Sequence, residues 1–519
     1  MNSLSPRESS AETQAGSGPA AAPKQAPAPA AARAWLARLG SAWSRWRWLA
    51  CLLPPAAGPW LAALGLPPSV ARGLGLLGLA LVGWATGWLH PSLVALLVLV
   101  LVPLLGLGSF DDALVGFGQS YVWLFVATFV IAGALESTGL GRRIALWLLG
   151  QARGHSRTTL LALFVAAAVL GFMVPSTAGR SAILLPLCAS LVRAMAPNGP
   201  AKGAAEGAGP VGSGSFARAV FLGVGFVSIN TAWALMTASI SSVYTAGALA
   251  RLVGYRWSYL TWLLACLPLL ALFVVGLWYW MVRLYPPEFR EVPGGLEYLR
   301  QQRAQLGPLR GAELRTVLVL GAMVALWLSE PRHRLPVPHV GLAAALALAA
   351  PVVGVMDWEQ ALRRVNWDVI IQFGAAYSLT TTLAQSGAGQ WLARAVTGLF
   401  PRMGPAGAAV LVIATVTLIR LGFANMLAMV SMFLPVAVGL ARAWHLNPVW
   451  LAHVALVAAG FAFFLPAQTP TTAMAYGYGY FTIPEMRRAG IRAWALAAGL
   501  TLVFALGFWP RLGVGPYER

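Results

Sequence analysis

The stretch Gly171-Phe-Met-Val-Pro-Ser-Thr-Ala-Gly-Arg180 decides the fold, because it interrupts an otherwise apolar segment running from 158 to 195. A second segment, 404–440, is interrupted in the same way by Gly422-Phe-Ala-Asn425. Too few polar residues separate the halves of either segment to favour two ordinary spans joined by a loop in water. A helix that enters the bilayer, turns at mid-depth and returns on its own side fits better. Non-helical backbone at that depth is tolerated only where protein or a cavity satisfies it. Both segments are therefore expected to be re-entrant hairpins.

The rest of the chain supplies the membrane setting. Of its 519 residues 58% are hydrophobic and 10% charged, with a mean hydropathy of +0.71. A water-soluble chain carries about 25% charged residues, so the soluble and disordered classes are excluded. Apolar runs recur at about the 20-residue length that crosses a bilayer as helix. They read as 49–66, 72–89, 91–108, 119–138, 216–247, 258–281, 315–330, 338–355, 366–385, 447–478 and 487–509. The expected fold is an all-α polytopic membrane protein with about 11 transmembrane helices plus the two hairpins. Residues 1–45 read as a disordered basic tail leading into an interfacial helix, where Arg33, Arg38, Arg45 and Arg47 alternate with Trp35, Trp43, Trp46 and Trp48.

A formal charge of +20 could suggest nucleic acid, but the basic residues are almost all Arg and lie between the apolar runs. With a cytoplasmic N-terminus and two re-entrant segments, the inner loops gather Arg142, Arg143, Arg153 and Arg157, then Arg283, Arg290, Arg300, Arg303 and Arg310, then Arg487, Arg488 and Arg492. This bias follows the positive-inside rule, so the charge is a topology signal and no nucleic-acid partner is expected. The expected location is a bacterial-type inner (plasma) membrane.

The halves of the chain also echo each other. Trp123-Leu-Phe through Leu135-Glu-Ser-Thr-Gly139 is similar to Ile370-Ile-Gln-Phe through Leu383-Ala-Gln-Ser-Gly387, and Leu184-Leu-Pro186 is similar to Phe433-Leu-Pro435. By the charge count one repeat starts inward and the other outward. Inverted repeats with broken helices are the architecture of secondary transporters. The parts are expected to be a scaffold at 46–157 and 282–403, and a transport part at 158–281 and 404–519.

The acidic residues near spans are Asp111, Asp112, Glu136, Glu330, Asp357, Glu359, Asp368 and Glu485, all at span ends. A carboxylate proton relay thus has no candidate at mid-membrane. The His residues do not cluster. Cys51, Cys188 and Cys266 lie far apart, and no Walker A lysine is present. No cofactor is expected, and the chain is expected not to be an enzyme. The midplane instead holds hydroxyls, amides and a cation: Ser176, Thr177, Gly179 and Arg180 at the first break, with Asn425 and Ser431 at the second. Two further spans break at Ser239-Ile-Ser-Ser242 and at Pro466-Ala-Gln-Thr-Pro-Thr-Thr472. Helix starts suit a carboxylate or sulfate, while hydroxyls and freed carbonyls suit Na⁺. Arg180, one helical turn past Ser176, is expected to present its planar fork to a substrate carboxylate.

At these residues the chain resembles the divalent anion:sodium symporter family. Members pair two hairpins tipped by Ser-Asn-Thr with two unwound helices reading Thr-Pro-Pro-Asn. Phe464-Leu-Pro-Ala-Gln-Thr-Pro-Thr-Thr-Ala473 with Gly477-Tyr-Gly479 is similar to the second unwound signature, and the resemblance covers about residues 50 to 510. It implies a homodimer that carries a small divalent anion, such as a C4 dicarboxylate, by an elevator movement with Na⁺ as coupling ion. Substrate would meet Ser176, Thr177, Arg180, Asn425, Thr471 and Thr472. Sodium would meet Ser176, Gly179, Ser239, Ser242, Asn425 and Thr469. The first hairpin lacks the family Asn, and Ser242 and Thr472 stand where the unwound helices carry Asn. Sodium coupling is therefore less strongly marked here than in the family at large. Arg180 resembles the arginine that plastid-type dicarboxylate translocators of the family carry just after their hairpin motif. An exchanger or uniporter without sodium, or a sulfate carrier, is the alternative.

Overall fold

The computed structural model describes residues 47–517 except 57, 64, 175, 195–213, 293, 310, 352, 400, 401 and 424. Residues Trp48–Arg519 form one compact unit. The expected tail and nearly all of the interfacial helix lie outside the described residues. The fold is all-α, with 79% helix, and the described residues contain no strand beyond an isolated bridge between His155 and Glu291.

The expected first span, 49–66, opens in a 3-10 turn, Arg47–Leu52, and continues as helix over its described residues, Leu53–Ala56 and Gly58–Ala63. Pro54, Pro55 and Pro59 each lack an N–H donor, which limits the backbone hydrogen bonds this segment can make. The other runs give helices close to where they were expected: α1 (Pro68–Thr86), α2 (Pro91–Leu104), α3 (Ser120–Thr138) and the shorter α4 (Leu140–Gly150). Proline at the first helical turn starts α1 and α2, and Gly139 at φ 73 closes α3 in the left-handed conformation that glycine adopts freely.

The interrupted segments each give a pair of equal arms. In the first, α5 (Ser156–Met173) precedes α6 (Thr177–Ala194). In the second, α15 (Pro405–Gly422) precedes α16 (Met426–Ala443). Each arm has 18 residues, about 27 Å at 1.5 Å per residue. That exceeds half of a ~30 Å hydrocarbon core, so a tip at mid-depth requires arms that tilt or begin beyond the headgroups.

After each hairpin comes a broken helix and then a long one. The first set is α7 (Ser215–Ala234), α8 (Ile240–Leu252) and α9 (Tyr259–Leu284). A surface helix α10 (Gly295–Leu306) leads to α11 (Gly311–Leu328), α12 (Val337–Ala349), α13 (Trp367–Gln385) and α14 (Ala388–Leu399). The second set is α17 (Pro448–Ala459), α18 (Pro470–Gly477) and α19 (Ile483–Val503), which continues through a wider turn to Leu512.

Among the described residues, eight helices are long and apolar enough to cross a membrane, and shorter apolar ones include α2, α12 and α17. Packing interleaves the halves: α2 lies on α13, α3 on α12, and each broken helix lies against both arms of its own hairpin. The most enclosed candidate span is α7, 89% of whose window lies inside the protein against 28% for α11. The breaks next to α7 are therefore walled by protein, as unpaired backbone at depth requires.

Candidate functional site

Four helices begin at the four breaks, and hydroxyl or amide side chains cap them. Ser176 Oγ accepts from the Gly179 N–H at 3.1 Å at the start of α6. Asn425 Oδ1 accepts from the Leu427 and Ala428 N–H groups at 3.0 and 3.3 Å, while its Nδ2 donates to Gln372 of α13 at 2.8 Å. Ser239 caps α8 by accepting from the Ser242 N–H at 3.2 Å, and Thr469 caps α18 by accepting from the Thr472 N–H at 3.1 Å. These residue types are preferred at such starts because they satisfy N–H groups that have no partner within the helix.

The last two caps match in detail. Ser239 and Ser242 lie 3.2 Å apart at their hydroxyls, and both donate to the Ala232 carbonyl, at 2.8 and 2.6 Å. Thr469 and Thr472 lie 2.8 Å apart, and Thr472 donates to the Pro466 carbonyl at 2.8 Å. A hydroxyl that donates keeps its lone pairs. Each pair with its carbonyl is thus an oxygen set chemically suited to Na⁺. Among the described residues no group of three or more His, Cys, Asp or Glu could hold a metal ion.

Arg180 departs from expectation. It is 0% exposed. Its Nη1 donates to the carbonyls of Val174 at 2.9 Å, Ala238 at 3.2 Å and Gly171 at 3.4 Å, and its Nη2 donates to Ser228 at 3.2 Å. The expected open fork is instead closed on backbone oxygens. The physical reason is supply: two chain breaks free the Val174 and Ala238 carbonyls inside the protein, and a guanidinium brings five donors. The side chain ties the first hairpin tip to α7 and to the break before α8. Its Nε alone is without a partner.

Sequence reasoning missed Arg420 in the last turn of α15. It is 1% exposed, its Nη1 donates to the Phe423 carbonyl, and its Nε has no partner. The signal was present, since Arg420 is the one charge inside an apolar arm, close to the Asn425 tip. Gln468 was also passed over. It accepts from the Phe464 and Leu465 N–H groups at 2.8 and 2.9 Å and donates to the Arg420 carbonyl at 3.3 Å. Thus Gln468 ties the second tip to the second broken helix. Thr471 is fully buried and its hydroxyl has no partner.

The ion pairs of the described residues use Arg143, Arg218, Arg363 and Arg364, so neither buried arginine has a carboxylate against it. Of the remaining expected residues, Thr177 and Gly179 are half-buried within the first turn of α6, and Ser431 donates to Ala428 within α16. Each break is also brought to the other hairpin: α8 lies on α16, and α18 lies on α6 and α7.

Comparison with known proteins agrees with this architecture. A family model described as the sodium:sulfate symporter transmembrane region matches residues 41–514. A membrane protein of Cupriavidus necator is 28% identical, covering 86% of this chain and 89% of that one. The sodium-dependent dicarboxylate transporter SdcS of Staphylococcus saprophyticus is 23% identical, covering 88% and 91%. The Na(+)/dicarboxylate cotransporter 3 of Rattus norvegicus is 24% identical, covering 90% and 92%. Among solved structures, Neisseria gonorrhoeae MtrF aligns with a TM-score of 0.53 at 12% identity, covering 85% of this chain and 96% of that one, which shows likeness of fold. With a family match across nearly the whole chain, this protein belongs to the divalent anion:sodium symporter family and is a multi-pass membrane transporter, not an enzyme.

Proposed function

We propose that this transporter carries a small dicarboxylate dianion of the C4 class across a bacterial-type inner membrane. The observation that carries the reading is the pair of buried arginines, Arg180 and Arg420, one beside each hairpin tip and neither with a carboxylate partner. Two cations fixed at depth are costly to insert, at roughly 2.5–3.5 kcal/mol each, unless something compensates. Backbone carbonyls offset part of this cost, and a transient dianion between the tips would complete it. Substrate would then meet Ser176, Thr177, Asn425, Thr471 and Thr472, with Arg180 and Arg420 acting through their fields. The sodium-dependent dicarboxylate relatives support the substrate class.

The movement we assign is an elevator in a homodimer. The hairpins and broken helices (158–281 and 404–519) would travel against a scaffold (46–157 and 282–403) in an inverted-repeat plan. The like order and lengths of elements in the two halves support that plan. Na⁺ is the coupling ion in this reading, held by the oxygen sets at Ser239–Ser242 and Thr469–Thr472, with Ser176, Gly179 and Asn425 nearby in sequence or packing.

One observation favours a second reading, sodium-independent exchange or uniport. The carbonyls of Ser228 and Ala238, which flank the Ser239 set, already face the Arg180 cation. A second cation there would meet like charge in a medium that screens poorly.

Uptake of labelled succinate into proteoliposomes, with and without an inward Na⁺ gradient and with sulfate as competitor, separates the readings. Uptake that depends on the gradient supports symport. Equal uptake without sodium, accelerated by internal succinate, supports exchange. Transport of sulfate with no transport of succinate contradicts the dicarboxylate assignment.

A further inference from the structure

Away from the hairpin tips, α4 and α10 border an open cleft of about 310 Å³ lined by Gly150, Arg153, Leu299, Arg300 and Arg303. That volume lies at the lower end of ligand pockets, roughly 300–1,000 Å³. Three arginines line the cleft. Among the described residues none of the three has a carboxylate partner. The nearest acid in sequence, Glu297, accepts from Gln301 along its own helix at 3.2 Å.

The backbone on both sides of this cleft is braced. Arg303 lies so close to the end of α4 that a Cβ on Gly150 would fall 2.6 Å from its Nη1, and its Nη2 reaches the Trp147 carbonyl at 3.5 Å. Arg153 holds a left-handed backbone at φ 51, which costs a side-chain-bearing residue free energy. The turn that carries it is pinned to the strand-like segment before α10. Val292 N–H donates to the Gly154 carbonyl at 2.8 Å, Ser156 N–H to Arg290 at 3.0 Å, and Ser156 Oγ to Phe289 at 2.8 Å. On the other side Arg142 bonds Gln302 and so holds α10 against α4.

We propose that this cleft holds the phosphate of an anionic phospholipid headgroup, clamped between α4 and α10. Guanidinium forks match phosphate oxygens bidentately, and three cations without acids favour an anion over a zwitterion. Trp147, one turn before Gly150 and 56% exposed, supplies the aromatic anchor that marks headgroup level, so the source is lipid and not a soluble phosphate. Basic pockets of this kind at the membrane surface are where anionic headgroups bind. Because α10 joins α9 to α11, a lipid seated there fastens the link between two long helices to the bilayer.

The test is native mass spectrometry of the full chain in detergent with defined phosphatidylglycerol or phosphatidylcholine. The parent is expected to retain phosphatidylglycerol at least tenfold over phosphatidylcholine. The triple variant Arg153→Gln, Arg300→Gln, Arg303→Gln should lose that preference, while the matching triple Lys variant keeps part of it. Should the Gln triple misfold, Arg300→Gln alone is informative, since its exposed side chain makes no bond in the structure, and it should lower retention severalfold. Equal retention of both lipids by the parent, or undiminished retention by the Gln variants, overturns the proposal. Displacement of the lipid by millimolar glycerol phosphate overturns the lipid source and assigns the pocket to a soluble phosphate.

Discussion

The two hairpins meet the same backbone problem with different side chains. At the first tip a single residue, Arg180, gathers carbonyls from its own hairpin and from the following broken helix. At the second the work is divided: Arg420 closes on Phe423, Gln468 joins the broken helix to the Arg420 carbonyl, and Asn425 caps α16 while holding Gln372. Concentrating the bonds in one cation makes the first tip vulnerable to one substitution. Dividing them makes the second tolerant. It also anchors the second tip to α13, a helix outside the proposed moving part, which no bond of Arg180 does.

The largest effect should therefore come from Arg180→Gln. It leaves several buried carbonyls short of donors, and destabilisation of about 3 kcal/mol or more is expected, seen as a lower thermal midpoint in detergent and near-complete loss of uptake. Arg180→Lys keeps the charge but cannot reach the same set of oxygens, so stability should recover only in part. An unchanged midpoint with a raised KM would move Arg180 from a positioning residue to a substrate contact.

Arg420→Gln removes one tie of several, at about 1–2 kcal/mol, and Gln468→Leu removes three hydrogen bonds, at about 2–3 kcal/mol. Their combination should show coupling when measured as a double-mutant cycle, because both act on the end of α15. Equal and additive losses at the two tips would break the comparison. Asn425→Ala removes a helix cap worth about 1 kcal/mol and frees Gln372, so transport rate should fall more than stability.

The smallest effects belong to the matched hydroxyls. Ser242→Ala and Thr472→Val each delete one donor to a carbonyl, at a cost under about 1 kcal/mol. If the oxygen sets bind Na⁺, both should raise the sodium concentration for half-maximal uptake with little change in expression. A response from Thr472→Val alone would sharpen the contrast, leaving the Arg180 guanidinium as the cation beside the Ser239–Ser242 set.

Much of this was legible in the residues. The paired helices of both interrupted segments, the breaks at Ser239 and Pro466 and the long helices follow from apolar runs and their interruptions, which the chain prints locally. What Arg180 touches could not be read, since its partners Ser228 and Ala238 are distant in sequence and are backbone atoms, which carry no residue signature. Arg420 was visible as a charge in an apolar arm but was passed over beside the more familiar Asn425. The Gln372–Asn425 and Gln468–Arg420 bonds depend on packing between helices and have no local pattern.

The central claim is that two fixed cations select a dianion. It is tested most directly by competition against labelled succinate uptake in proteoliposomes, using unlabelled succinate and its monoamide. The parent should be inhibited at least tenfold more strongly by the dianion than by the monoanionic monoamide, and Arg420→Gln should lose most of that preference while still transporting. Equal inhibition of the parent by the two compounds, or a full dianion preference retained by Arg420→Gln, would contradict the account.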